Sequence, residues 1–264
     1  MKTIFVKLLL IFAVVFTTST LMADDFTDAM AKARKNLKSA GETADEKALM
    51  KSRGEFERIL QLKKNQWIVY YYIAYVDYNI SMLGAKDQNF DKVKKYTESA
   101  MDILNKSTDL NPDFSDSYVL RLALTFNRWM YEQDKMADII AKTTAADETA
   151  KSLDPDNPRY YLITGISAYF TPEMFGGGAD KALKQLNKGL ELFQTRKEKE
   201  DYYPDWGKDL TCGYIALCYL KRDDKGDIEK AKQYIDKGLE ANPDSVFIKG
   251  YVQKQYDEKV KDKK

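Results

Sequence analysis

Arg121, Thr125 and Arg128 recur at steps of four and three residues, which puts them on one face of a helix. Two guanidinium groups above a groove would clamp a carboxylate such as a peptide C-terminus; the competing reading is a solvated face, or pairing with nearby acids. Tyr71, Tyr75 and Tyr78 share a face by the same spacing, in a run that also holds Tyr70 and Tyr72. Tyrosine offers large, rigid, amphipathic contact area. The stripe is therefore either a binding surface or packing between helices, with Tyr71 and Tyr72 favoured for the core. Asn79 and Ser167 are further polar candidates. Phe175-Gly176-Gly177-Gly178 closes the loop Thr171 to Gly178. Consecutive glycines carry an entropic cost, so the loop either contacts a ligand or, the favoured reading, makes a wide turn with Phe175 tucked under a hairpin.

Composition excludes histidine-dependent chemistry. The chain has no histidine, which removes the commonest general base and metal ligand. The acidic pairs Asp24-Asp25, Asp154/Asp156 and Asp223-Asp224 lack calcium-loop spacing, and no Gly-x-x-x-x-Gly-Lys-Ser/Thr run occurs. No catalytic residue, metal ligand or cofactor is assigned. Cys212 and Cys218 lie six residues apart in one expected helix, a rise of about 9 Å that exceeds disulfide reach. Both are read as small buried apolar residues.

Residues 1–23 have the layout of a secretory leader. Lys2 and Lys7 are basic, Leu8 to Phe16 is apolar, and a small polar stretch ends in Ala23. The apolar run is too short to span a bilayer, and no cysteine follows it for a lipid anchor. The expectation is a periplasmic or secreted protein with a single domain over 24–264. Loss of Lys2 and Lys7 from 42 Lys+Arg against 41 Asp+Glu leaves a nearly neutral chain. Nothing in that balance points to nucleic acid.

Apolar periodicity and breakers predict helices throughout. Pro112 and Pro155 are 43 positions apart, and Pro243 lies 88 beyond Pro155, so prolines punctuate helix ends at a near-constant period. The predicted helices pair as Asp25 to Ser39 with Ala44 to Leu62, and Trp67 to Leu83 with Phe90 to Leu110. Phe114 to Glu132 pairs with Met136 to Leu153, and Asn157 to Phe170 with Ala179 to Gln194. Trp206 to Lys221 pairs with Asp227 to Ala241, and Ser245 to Lys259 closes the array ahead of a fraying tail. Asn157 and Asp205 read as N-caps, and Arg196 to Asp201 as a solvated linker.

Gly226-Asp227-Ile228-Glu229-Lys230-Ala231, followed by Ile235, Gly238 and Pro243, resembles the tetratricopeptide repeat. So does Ala179-Asp180-Lys181-Ala182 with Leu186 and Gly189, with Gly165 on the partner helix. The likeness is best over 155–243. Over 66–154 it is weaker, because Val93 and Thr97 stand where a small and a large apolar residue belong, so the register of the first two repeats stays open. The loop Thr171 to Gly178 also resembles that of exported bacterial tetratricopeptide proteins, with a weaker likeness to the periplasmic repeat component associated with TRAP-type transporters. The resemblance implies an all-α, right-handed α-α superhelix of about four to five helical hairpins plus a C-terminal closing helix. It also implies that the first helix of each hairpin lines a concave groove.

The function expected on these grounds is an exported scaffold holding a protein or peptide partner in that groove, and not an enzyme. The alternative is a periplasmic carrier of a small apolar ligand that assists solute uptake. The carrier differs from the scaffold by enclosing an aromatic cavity.

Overall fold

A computed structural model describes residues 25–263; the expected leader lies outside them. Every regular element among the described residues is helical. Helix α1 covers 25–43. It is followed by α2 (Glu46–Ile59), α3 (Gln66–Lys86), α4 (Phe90–Leu110), α5 (Ser115–Asn127), α6 (Met136–Leu153) and α7 (Pro158–Phe170). Then come α8 (Ala179–Thr195), α9 (Lys208–Arg222) and α10 (Asp227–Ala241), and a π-helical turn, Phe247–Val252, that runs into α11 (Gln253–Asp262). No helix among the described residues is long and apolar enough to cross a membrane.

Local chemistry sets the starts of several helices. Asp45 accepts from the Lys47 amide, Asn89 from Lys92 and Asn157 from Arg159, each satisfying a backbone donor that the first turn leaves open. Pro158 sits in the first turn of α7, where its missing N–H costs nothing. In α8 the stripe Ala182, Leu183, Leu186 and Leu190 is buried along its length, as its three- and four-residue spacing requires.

The helices pair as antiparallel hairpins, α3 with α4, α5 with α6, α7 with α8 and α9 with α10, and each pair packs on the next. The apolar core forms successive clusters joined through partly buried residues such as Tyr78, Trp206 and Tyr169. Phe26, Met30, Leu49, Phe56, Ile68 and Leu104 fill it under α1–α5, and Leu162, Leu186, Ile215 and Ile248 carry it to the far end. Small residues set the closest approaches. A Cβ on Gly165 would lie 2.6 Å from Leu186 Cγ, and one on Gly238 would lie 2.3 Å from Ile248 Cδ1. The expected register of the last two hairpins therefore has a packing basis. In the first hairpin Val93 and Thr97 are buried instead, and the Thr97 hydroxyl accepts from the Asn127 amide at 3.4 Å.

Four boundaries differ from expectation. Helix α5 stops at Asn127 and tightens into a 3-10 turn, Arg128–Met130. Trp206 is not helical and Asp205 caps nothing: α9 begins at Lys208 behind Gly207, whose φ of 114° suits glycine alone. The closing helix starts as a π turn rather than at Ser245. Helix α11 continues past Lys259 to Asp262, and Lys259 and Lys263 both pair with Asp223, at 2.7 and 2.5 Å.

Candidate functional site

The site is assembled around the connection between α8 and α9. Arg196 to Gly207 has no regular structure of its own, yet it lies against the first helix of each preceding hairpin. We call it the strap. Arg196 pairs with Asp154 at 2.6 Å and Glu198 with Arg159 at 2.6 Å. Arg159 is 1 % exposed; it also pairs with Asp116 and donates to the Pro204 carbonyl at 2.9 Å. Burial works against the charge of Arg159, but the Asp116 and Glu198 carboxylates more than offset it and raise its pKa. The Tyr202 ring meets Phe26 edge-on, and Tyr203 meets Trp67 and Phe114. Tyr72 donates its hydroxyl to the Tyr202 carbonyl at 3.1 Å. The expected solvated linker is thus a packed segment, because its charges have partners on α1, on α7 and just past the end of α6, and its aromatic residues have rings to meet.

Beyond Tyr203 the strap becomes a wall. Trp206 stacks on Tyr75, with centroids 4.8 Å apart and planes at 15°, and its indole N–H donates to the Tyr71 hydroxyl at 3.0 Å. Trp206 and Tyr75 border a cavity of about 340 Å³, of the size that small-molecule sites have. Phe247 also lines it, stacked on Tyr214 at 4.9 Å. Two backbone features aim Phe247: the π turn that carries it, and Gly213, where a Cβ would come within 2.6 Å of its ring. Helix α1 supplies Arg34, Leu37, Lys38 and Gly41, so the two ends of the array meet here. Arg34 ties α1 to the strap by pairing with Asp205 at 2.9 Å and donating to the Asp201 carbonyl.

The sequence candidates divide accordingly. Tyr75 and Asn79 line the cavity; Asn79 donates its amide to the Tyr75 carbonyl at 2.7 Å. Tyr71 is fully buried behind Trp206, and Tyr78 is half-buried, stacked on Tyr75 at 6.2 Å. Burial raises the pKa of all three phenols, that of Tyr78 to about 12, so the row is neutral at physiological pH. Arg121, Thr125 and Arg128 do not converge on a groove. Arg121 donates to Asn105 and Thr108 on α4, and Thr125 is buried with its hydroxyl on the Arg121 carbonyl. Arg128 pairs with Glu132 and with Asp138 at 2.8 Å. Ser167 is half-buried on α7, where its carbonyl accepts from the Thr171 hydroxyl at 2.8 Å.

The loop Thr171 to Gly178 stands apart from the cavity lining. Phe175 is not tucked beneath the hairpin: it is 72 % exposed, beside Met174 at 83 %. The glycines close the turn, with Gly178 at φ 99° donating to the Ala168 and Thr171 carbonyls, while Gly176 and Gly177 complete it. Cys212 and Cys218 are free and buried, and burial raises their thiols to about 11 and about 12. No cluster of metal-ligating side chains occurs among the described residues.

The sequence reading missed Arg34, Lys38, Trp206, Lys208 and Phe247. One signal was available: a connection of about a dozen residues is long for a helical hairpin array, and this one carries Tyr202, Tyr203 and Trp206 among its charges.

No protein-family model and no curated protein matches the sequence. Among solved structures, the chain is similar to the HusA haemophore from Porphyromonas gingivalis. The TM-score is 0.61 at 24% identity, over 74% of this chain and 92% of that one. It is also similar to TTC0263, a thermophilic tetratricopeptide protein of Thermus thermophilus, with a TM-score of 0.52 at 15% identity, over 84% of this chain and 98% of that one. With hairpins that pack in sequence on small residues, and with these two structural relatives, the fold is that of a tetratricopeptide-like helical repeat.

Proposed function

We propose that this protein is an exported carrier of a flat, largely apolar small molecule, bound in the cavity between Tyr75, Trp206 and Phe247. The observation that carries the reading is the pair of stacked aromatic walls, Trp206 on Tyr75 and Phe247 on Tyr214, bordering one space. Rings held in stacked pairs present flat apolar faces at little entropic cost. The similarity to a haemophore makes a tetrapyrrole the first ligand to test. With no histidine in the chain and the neighbouring phenols held protonated, binding would rest on the macrocycle rather than on its iron. The protein then takes metal-free protoporphyrin as well as haemin.

The scaffold reading retains the general support of the fold, which hosts many binding roles. Against a peptide in the groove stands the strap, which already lies on the first helices where the peptide would run.

The test is tryptophan fluorescence during titration with protoporphyrin, in the wild type and in Gly41→Phe. Gly41 lines the cavity, and a Cβ there meets nothing within 4 Å, so a phenyl group adds bulk at the cavity lining without disturbing the core. Saturable quenching that Gly41→Phe weakens at least about tenfold, equivalent to about 1.4 kcal/mol, is the expected result. Equal quenching in both proteins would place any ligand elsewhere.

A further inference from the structure

We infer that the ligand of this cavity carries an anionic group, such as a carboxylate, at the edge facing Arg34, Lys38 and Lys208; the inference rests on the cavity reading above. Three observations point to it. First, Arg34 has two of its nitrogens committed, one to Asp205 and one to the Asp201 carbonyl. Its Nε is buried with no hydrogen-bond partner among the described residues. Arg34 borders the cavity, so its guanidinium, only part of which is satisfied, stands beside an anion bound there.

Second, Lys38 lies one helical turn beyond Arg34, and Lys208 begins α9 on the strap side. Both line the cavity, and neither forms an ion pair among the described residues. Third, Gly207 gives α9 no side-chain cap. The first-turn amides of Lys208, Asp209 and Leu210 therefore have no intrahelical acceptor, and these residues too line the space. The acidic wall groups are mostly engaged: Asp205 holds Arg34, and Asp209 accepts from the Asn242 amide at 3.3 Å. Glu42 is left, one turn further along α1 than Lys38, so the Arg34 end is the end that favours an anion.

Two fluorescent probes separate this inference from the cavity reading. Anilinonaphthalene sulfonate and uncharged phenylnaphthylamine share an aromatic body and differ in the sulfonate. Signal that persists in Gly41→Phe counts as no cavity binding. At low ionic strength the wild type is expected to bind the sulfonate about tenfold tighter than the neutral probe, as two unscreened cations near one anion allow. The double variant Lys38→Gln/Lys208→Gln, checked for an unchanged melting temperature, loses that preference and keeps its affinity for the neutral probe. A wild type without preference, or a double variant that retains it, overturns the anionic edge and leaves the aromatic cavity standing. Cavity binding of neither probe overturns both.

Discussion

Trp206 links fold to site. Its ring completes the cavity wall, and its N–H rests on the buried Tyr71 hydroxyl. Trp206→Leu removes both the stacking surface and the hydrogen bond. Protoporphyrin affinity should fall by about two- to tenfold, as roughly 0.5–1.5 kcal/mol for an aromatic pair beyond area burial implies, and most of the ligand-dependent quenching should vanish with it. Asp227 is a second informative residue. It is fully buried beneath Arg222 and accepts from the Asp224 amide. The Arg222 hydrogen bonds hold its carboxyl at about 2, below the usual carboxylate range. A pKa lowered by folding stabilises above the unfolded value and loses that contribution as pH falls toward the folded one. Asp227→Asn should therefore cost roughly 2 kcal/mol at neutral pH, and the gap between variant and wild type in urea melts should close between about pH 4 and pH 2. A gap that persists at pH 2 would assign the loss to packing.

Helices and strap are stabilised by different means. Where helices approach most closely, apolar contact and small residues act. Gly165→Ala pushes a methyl group into Leu186 and should destabilise by about 1–3 kcal/mol, read from the urea midpoint. The strap depends on buried charge. Arg159→Met leaves Asp116 and Glu198 without their common partner. That should cost about 3–5 kcal/mol and release the strap, so that trypsin cuts after the exposed Lys197 and Lys199 well before it cuts the helices. Arg159→Met/Asp116→Leu should recover part of the loss, because it removes a stranded carboxylate. Proteolysis at an unchanged rate would show that the aromatic contacts of Tyr202 and Tyr203 hold the strap alone.

Across the whole molecule, the cavity draws its walls from α1, α3, the strap, α9 and the segment Ala241–Phe247. A ligand there bridges the first and last parts of the array. Ligand at a hundredfold excess over its dissociation constant should add about 2.7 kcal/mol to unfolding. Hydrogen exchange should slow in 34–42 and in 241–247 at the same time. Slowing confined to α3 and the strap would mean that the chain ends take no part.

The amino-acid sequence by itself determined the helices and their pairing. Periodicity, prolines and small residues such as Gly165 and Gly238 act over a few residues or between adjacent helices, so their meaning survives without the fold. It also singled out Tyr75 on α3, because helical spacing puts it on one face with Tyr71 and Tyr78, and Asn79 as a polar residue of the same helix. The tertiary structure decided which polar groups were already spoken for. Arg121 and Arg128 have a groove-like spacing, but their partners on other segments decide where they point. It alone decided that a charged linker packs as a strap, that Phe175 stands in solvent, and that Arg34 and Phe247 border one cavity. Residues from opposite ends of the chain meet only after every hairpin between them has added its turn to the curve, and that sum cannot be read from local spacing.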